Sequence, residues 1–370
     1  VSVGQHARTA GTSSSPLFAR PAAGDREPFA RLVIALLTMG LGVVVLFSMA
    51  WGASDASVLA VVADWLPGSA EETLTVRDRV IIYDIRLPRT VLGVLIGASL
   101  AVAGAVLQGL FRNPLADPGI IGVSAGAALG AVSVIVLGGT VLAPFTYLFG
   151  IFALPVAAFG GALAATLMLY GIATRQGRTS VATMLLAGIA LAAMAAAFTG
   201  LLVFIADDRQ LRDLTFWQLG SLAGATWAKI GAAGPIIVAA LATSPFLARG
   251  LNGFALGEAA ASHLGIHVQR FKYVAIVAAT AATGASVAVS GGIAFVGIVV
   301  PHLLRLLIGP DHRYLLPACA LLGAIVLLLA DSIARTIVAP AELPIGIVTA
   351  AVGAPFFLWI LLRKRGVLDL

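Results

Sequence analysis

Three groups of residues have the types and spacing from which chemistry could be built. Gly122-Val123-Ser124-Ala125-Gly126 fits the G-x-S-x-G elbow, which lifts a serine nucleophile between a strand and a helix. Such a serine needs a histidine base within reach, and no histidine lies in the neighbouring stretches. The pattern also falls near the start of an apolar run, in a chain with 41 glycines where chance matches are expected. An intramembrane serine hydrolase at Ser124 is therefore the alternative to exclude rather than the leading reading. His263 and His267, four apart, could share one helix face as metal ligands. Only Glu258 accompanies them, so they read as solvated or interface residues, and no metal site is expected. His302, after Pro301, reads as a core histidine. The third group is basic: Arg86 and Arg89 flank Pro88, and Arg335 ends a later apolar run. Guanidiniums at such places can snorkel to headgroups, pair with nearby acids such as Asp84 and Glu342, or dock an acidic partner.

Energy coupling leaves its own marks. A phosphate-binding loop ends in Gly-Lys-Ser/Thr. The three lysines, Lys229, Lys272 and Lys364, follow Ala228, Phe271 and Arg363. The chain is thus expected to be no ATPase itself. Ion-driven carriers place acids inside their spans; here Asp and Glu lie in loops or at span ends, with Asp331 the nearest exception. An ion-coupled carrier is disfavoured on that ground. The lone Cys319 sits in an apolar run and offers neither a disulfide framework nor a cysteine metal site.

The elements that must position these residues follow from composition. Of 370 residues, 60% are hydrophobic and 11% charged, and the mean hydropathy is +1.02. A soluble domain is about a quarter charged, so lipid must be the solvent for much of this chain. Spans need roughly 20 apolar residues, and the apolar runs are long and rich in Ala, Leu and Gly rather than alternating, which excludes a β-barrel. The expected fold is an all-α polytopic membrane protein with about ten transmembrane helices. The spans read as 32–52, 88–110, 120–139, 144–174, 181–206, 227–247, 273–290, 293–308, 315–333 and 346–362. A short surface helix is expected over 214–226. The fourth run is too long to be straight and is expected to tilt or to begin at the interface.

Residues 1–30 lack a sustained apolar run and read as a disordered cytoplasmic tail before a membrane domain over 31–365. With both termini inside, fifteen of the 23 lysines and arginines lie on the inner side and eight on the outer, as the positive-inside tendency favours. The net charge of +6 is then loop charge, and no nucleic-acid partner is expected. Gly93, Gly97, Ala101 and Gly104 recur at helical spacing, which lets another helix approach closely.

Several segments resemble the BtuC/FecCD family, permeases of bacterial importers for vitamin B12, iron-siderophores and haem. They are Ile85-Arg86-Leu87-Pro88-Arg89-Thr90, Gly104 to Gln108 with Asn113-Pro114-Leu115-Ala116-Asp117-Pro118-Gly119, Leu256-Gly257-Glu258 with Leu264-Gly265, Gly292 to Gly297 with Val300-Pro301-His302 and Arg305, Asp311-His312-Arg313 with Leu329-Ala330-Asp331 and Arg335, and Glu342-Leu343-Pro344-Ile345-Gly346 with Gly353-Ala354-Pro355. The resemblance implies a type II importer permease in the bacterial cytoplasmic (inner) membrane, both termini cytoplasmic, pairing with a second copy of itself. It implies two ATPase subunits below, where ATP acts, a periplasmic binding protein above, and no permanently bound cofactor. The segment 249–272, with Leu256, Gly257, Glu258, Ala260, Leu264 and Gly265, resembles the family's ATPase-coupling helices. Arg86, Arg89 and Arg335 match arginines presented to the binding protein. The fifth span, with Met194, Phe198 and Leu202, matches the helix nearest the pathway and its gate. Leu211 to Trp217 with Gly220-Ser221-Leu222, and Gln108 to Asn113, look like the haem branch, so haem is the expected cargo, with ferric siderophore and vitamin B12 as alternatives.

Overall fold

The structure is a computed structural model and describes residues 26–51, 75–119, 122–175, 178–339 and 341–363. The expected tail, residues 1–30, lies outside the described residues up to 25. Its last residues are helical instead: α1 runs Glu27–Ala50, with Pro28 in its first turn, where a missing amide costs nothing. The second span begins earlier than the sequence suggests. Helix α2 occupies Val76–Phe111, and Pro88 does not start it, because a π-helical turn at Ile81–Arg86 precedes the proline. There the Leu87 amide donates to Ile82, and the wider turn relieves the usual proline clash.

The remaining helices are α3 Val123–Leu137, α4 Ala143–Phe149, α5 Ala153–Ala173, α6 Val181–Ile205, α7 Asp208–Leu219, α8 Trp227–Ala242, α9 Ser244–Ala255, α10 Glu258–His263, α11 Val268–Ser290, α12 Val296–Ile308, α13 His312–Ala334 and α14 Ile345–Arg363. Among the described residues six helices are long and apolar enough to span, α8 and α9 together form a seventh bent by 45°, and α3, α12 and α14 are shorter apolar helices. Together they match the ten expected spans. The long fourth run carries a 3-10 turn at Gly150–Phe152 between α4 and α5. The surface helix begins earlier than read, because Asp207 and Gln210 form a capping box ahead of α7 that fixes its start. The loop after α5 is a small hairpin, β1 Thr174–Arg175 paired antiparallel with β2 Arg178–Thr179.

Helix α2 is the axis of the fold. It packs against α1, α8, α9, α11, α12 and α13, and most of its apolar stretch is buried. The small-residue stripe explains how. A β-carbon on Gly97 would stand 2.4 Å from the Gly323 carbonyl oxygen, and one on Gly104 would stand 1.9 Å from that of Gly297. Backbones that close admit no side chain between them. Polar links reinforce the contact: Ser99 Oγ meets Ser286 Oγ at 2.5 Å, and Gln108 Nε2 donates to the Gly297 carbonyl at 3.0 Å. Arg305 donates to the Gln108 side-chain oxygen in turn. In a medium without water such groups must be satisfied within the protein.

Candidate functional site

At the end of the bundle that carries the π-turn, Arg86, Arg89 and Arg335 converge. The π-turn and the first turn of α2 hold the first two, and the end of α13 holds the third. They are not laid out on the surface: Arg86, Arg89 and Arg335 are 4%, 7% and 6% exposed. Arg89 is held on two sides. Its Nη2 lies 2.8 Å from Asp331 Oδ1, and its Nη1 lies 2.8 Å from Glu342 Oε1. Arg335 Nε stands 3.3 Å from Asp331 Oδ2, and its Nη2 donates to the Ser48 carbonyl at 3.0 Å. Arg86 Nη1 donates to the Met49 carbonyl at 2.7 Å. The cluster therefore ties the end of α1 to α2, α13 and the loop before α14. Of the pairings open to the sequence, the Glu342 one forms; Asp331, an acid at a span's end, is the second partner. Glu342 is the solvent-facing member, its side chain 40% exposed.

At the opposite end lies the 249–272 segment. The end of α9 and the short α10 are joined there through Gly257, and Gly265 follows, with φ of +105° and +80°. Only glycine adopts such angles freely, so α10 is a short rigid piece between two glycine joints. Helix α9 is seated on α11: Phe254 stacks on Phe271 at 5.0 Å, and any β-carbon on Gly250 would lie 2.0 Å from the Phe271 ring. Asn252 Nδ2 donates to Asp311 Oδ1 at 2.7 Å. Burial raises the Asp311 carboxyl, but hydrogen bonds from Arg313 and Asn252 outweigh it and hold the group at about 2. Leu256 and Leu264, at either end of α10, are 71% and 56% exposed. Glu258, its side chain 43% exposed, pairs with the buried Lys272 at 2.7 Å.

Between the two ends, a cavity of about 520 Å³ is lined by Ser124, Thr199, Gln218, Trp217, Val287 and Gly292, among others. That volume is within the range of ligand pockets, about 300–1,000 Å³. Helix α6 contributes Ala196, Thr199, Gly200 and Val203. The expected gate residues do not line it. Met194 and Phe198 are exposed on roughly the opposite face of α6 at 100° per residue, and Leu202 packs with Val132, Val136 and Leu214. Ser124 does reach the cavity, but no histidine is among the lining residues. The backbone before it is a turn, with Gly122 at φ +79° and its amide on the Gly119 carbonyl. No histidine among the described residues lies there to serve as base for a serine nucleophile. Among the described residues no group of three or more His, Cys, Asp or Glu could hold a metal.

Residue spacing did not single out Lys272, Gln269, Thr199 or Gln218. Lys272 alone left a signal, being one of three lysines and next to an apolar run.

The chain is similar to known membrane permeases. The hemin transport system permease protein HmuU of Yersinia pestis is 46% identical over 284 residues, 76% of this chain and 83% of that protein. The cobalamin import system permease protein BtuC of Halobacterium salinarum is 47% identical over 289 residues, 78% of this chain and 75% of that one. A solved inward-facing structure described as a metal-chelate type ABC transporter superposes with a TM-score of 0.77 at 30% identity, covering 90% of this chain and 99% of that one. The model of the FecCD transport family matches residues 40–363, and the chain belongs to that family.

Proposed function

We propose that this chain is the membrane-spanning permease of an ATP-binding-cassette importer and that its cargo is haem. Family membership supports the class, and the inner-end geometry carries the coupling: a rigid α10 between glycine joints, flanked by exposed Leu256 and Leu264. Two separate ATPase subunits dock there, and closure on nucleotide moves α10. Two copies of the chain sit side by side in the bacterial cytoplasmic membrane with both termini inside. The exposed face of α6, with Met194 and Phe198, then turns toward the second copy and the shared pathway. A periplasmic binding protein docks over the outer arginine cluster. Charge complementarity between these arginines and acidic groups on the binding protein sets how it docks.

For haem, the support is the α7 sequence Leu211 to Trp217 with Gly220-Ser221-Leu222. Cobalamin is the second reading, favoured by the similar identity to the Halobacterium permease. Binding-protein-stimulated ATP hydrolysis by the complex in nanodiscs separates them. Stimulation by a haem-loaded binding protein, and none with cobalamin or a ferric siderophore, is the expected result. Stimulation by cobalamin alone overturns the choice of cargo and leaves the class standing.

A further inference from the structure

The short helix α10 is separated from the rest of the chain by Gly257 and Gly265, at φ +105° and +80°. Backbone joints of that kind bend easily, so a push on α10 fades along the main chain. A side chain crosses the joint instead. Lys272, on the first turns of α11, is 2% exposed. Its Nζ contacts Glu258 Oε1, at the start of α10, at 2.7 Å. The same Nζ donates to the Thr179 carbonyl at 2.9 Å. Thr179 is the last residue of β2, and its amide donates to Gln269 Oε1 at 3.1 Å. Gln269 and Lys272 are three apart on one helix face, so α11 grips both polar groups of this one strand residue. The next residue is Ser180, whose side chain caps α6.

We propose that Lys272 is the transmission residue between the ATPase-facing helix α10 and the cavity-lining helix α6. This rests on the reading of α10 as the coupling helix. The Lys272 ammonium is 2% exposed, and Glu258, although 43% exposed, is the carboxylate it pairs with; parting them would leave the buried charge on the Thr179 carbonyl, at a cost. When α10 tilts, Glu258 therefore carries Lys272 with it, and Lys272 moves Thr179 and the capped start of α6. The path is short and polar at both ends, and it bypasses the joint at Gly265. Lys272 is a positioning residue: it touches neither cargo nor nucleotide.

The test uses the full complex in proteoliposomes. Cys319 is fully buried, so introduced cysteines at Ser262 on α10 and Ala182 on α6 can be spin-labelled selectively. Two readouts are taken, cargo transported per ATP hydrolysed and the nucleotide-dependent label movement at each site. Lys272→Met should leave α10 responding to nucleotide while α6 no longer follows, and transport per ATP should fall about tenfold, a typical coupling magnitude. Lys272→Arg should restore both. If Lys272→Met fails to assemble, Lys272→Gln replaces it. That variant keeps a donor for Thr179 but has no charge for Glu258, and the same split is expected. Parent-like α6 movement and parent-like transport per ATP in either assembled variant overturn the proposal. Leu264→Glu on the exposed face of α10 tests the underlying reading separately. If it leaves ATPase docking and coupling intact, α10 is not the coupling helix, whatever Lys272 does.

Discussion

Arg89 and Asp331 show what a charge at the end of a span requires. Asp331 is 1% exposed and faces both Arg89 and Arg335. Removing it takes the carboxylate from Arg335 and leaves Arg89 to Glu342, in a site with little water, and breaking a buried pair from one side costs about 3–5 kcal/mol. Asp331→Ala should therefore lower stability by about that amount in denaturation of the detergent-solubilised protein. Glu342→Gln should cost about 1 kcal/mol or less, because that carboxylate is partly in water. Equal losses for the two variants would contradict the ordering. The sequence shows the three arginines as a group and names Glu342 as one partner. It does not show that they lie below the surface, because burial depends on where the end of α1 falls. That is set by contacts of Ser48 and Met49 carbonyls, which no residue-type pattern encodes. The face of α6 that meets the cavity was hidden for a related reason. The helix is apolar all round, so composition gives no inside, and Met194 and Phe198 look as suited as Thr199.

Among the elements, the glycine contacts are the most exacting. Gly104→Ala places a methyl 1.9 Å from a backbone oxygen of α12. The two helices must move apart, and overpacking of this kind typically costs about 1–3 kcal/mol. A matching loss of thermal stability is expected, whereas Gly42→Ala, with nothing within 4 Å, should be silent. Periodicity made this stripe legible, since spacing of three and four is a helix face whatever packs on it. Helix ends were less so. The start of α2 was obscured because a proline within a span normally reads as its beginning, and the π-turn that accommodates Pro88 has no composition of its own. Asp311, which caps α13, gives a pH test. Its folded value of about 2 lies below the ordinary carboxylate value of about 4. The stabilisation is therefore complete above about pH 4 and lost as pH falls towards 2. Thermal unfolding of the parent and Asp311→Asn should differ at neutral pH and converge below about pH 3; a difference that persists at low pH would show that the cap is not electrostatic.

For the whole molecule, the architecture has two polar ends joined by a rigid middle. The arginine cluster fastens α1, α2, α13 and the loop before α14, the glycine contacts hold α2 against α12 and α13, and the 249–272 segment leaves α10 on two joints. Rigid parts with a small number of joints are what switching between two access states needs. The number of spans and their order were legible from apolar runs alone, because lipid forces a helix wherever such a run occurs. What moves relative to what was not, since a joint is a φ angle and not a composition. The most direct measurement is uptake into proteoliposomes holding this chain, its ATPase subunits and its binding protein. Haem should accumulate with ATP and should not when the ATPase carries an inactivated catalytic site. Equal uptake without ATP, or uptake by this chain alone under an ion gradient, would contradict the account.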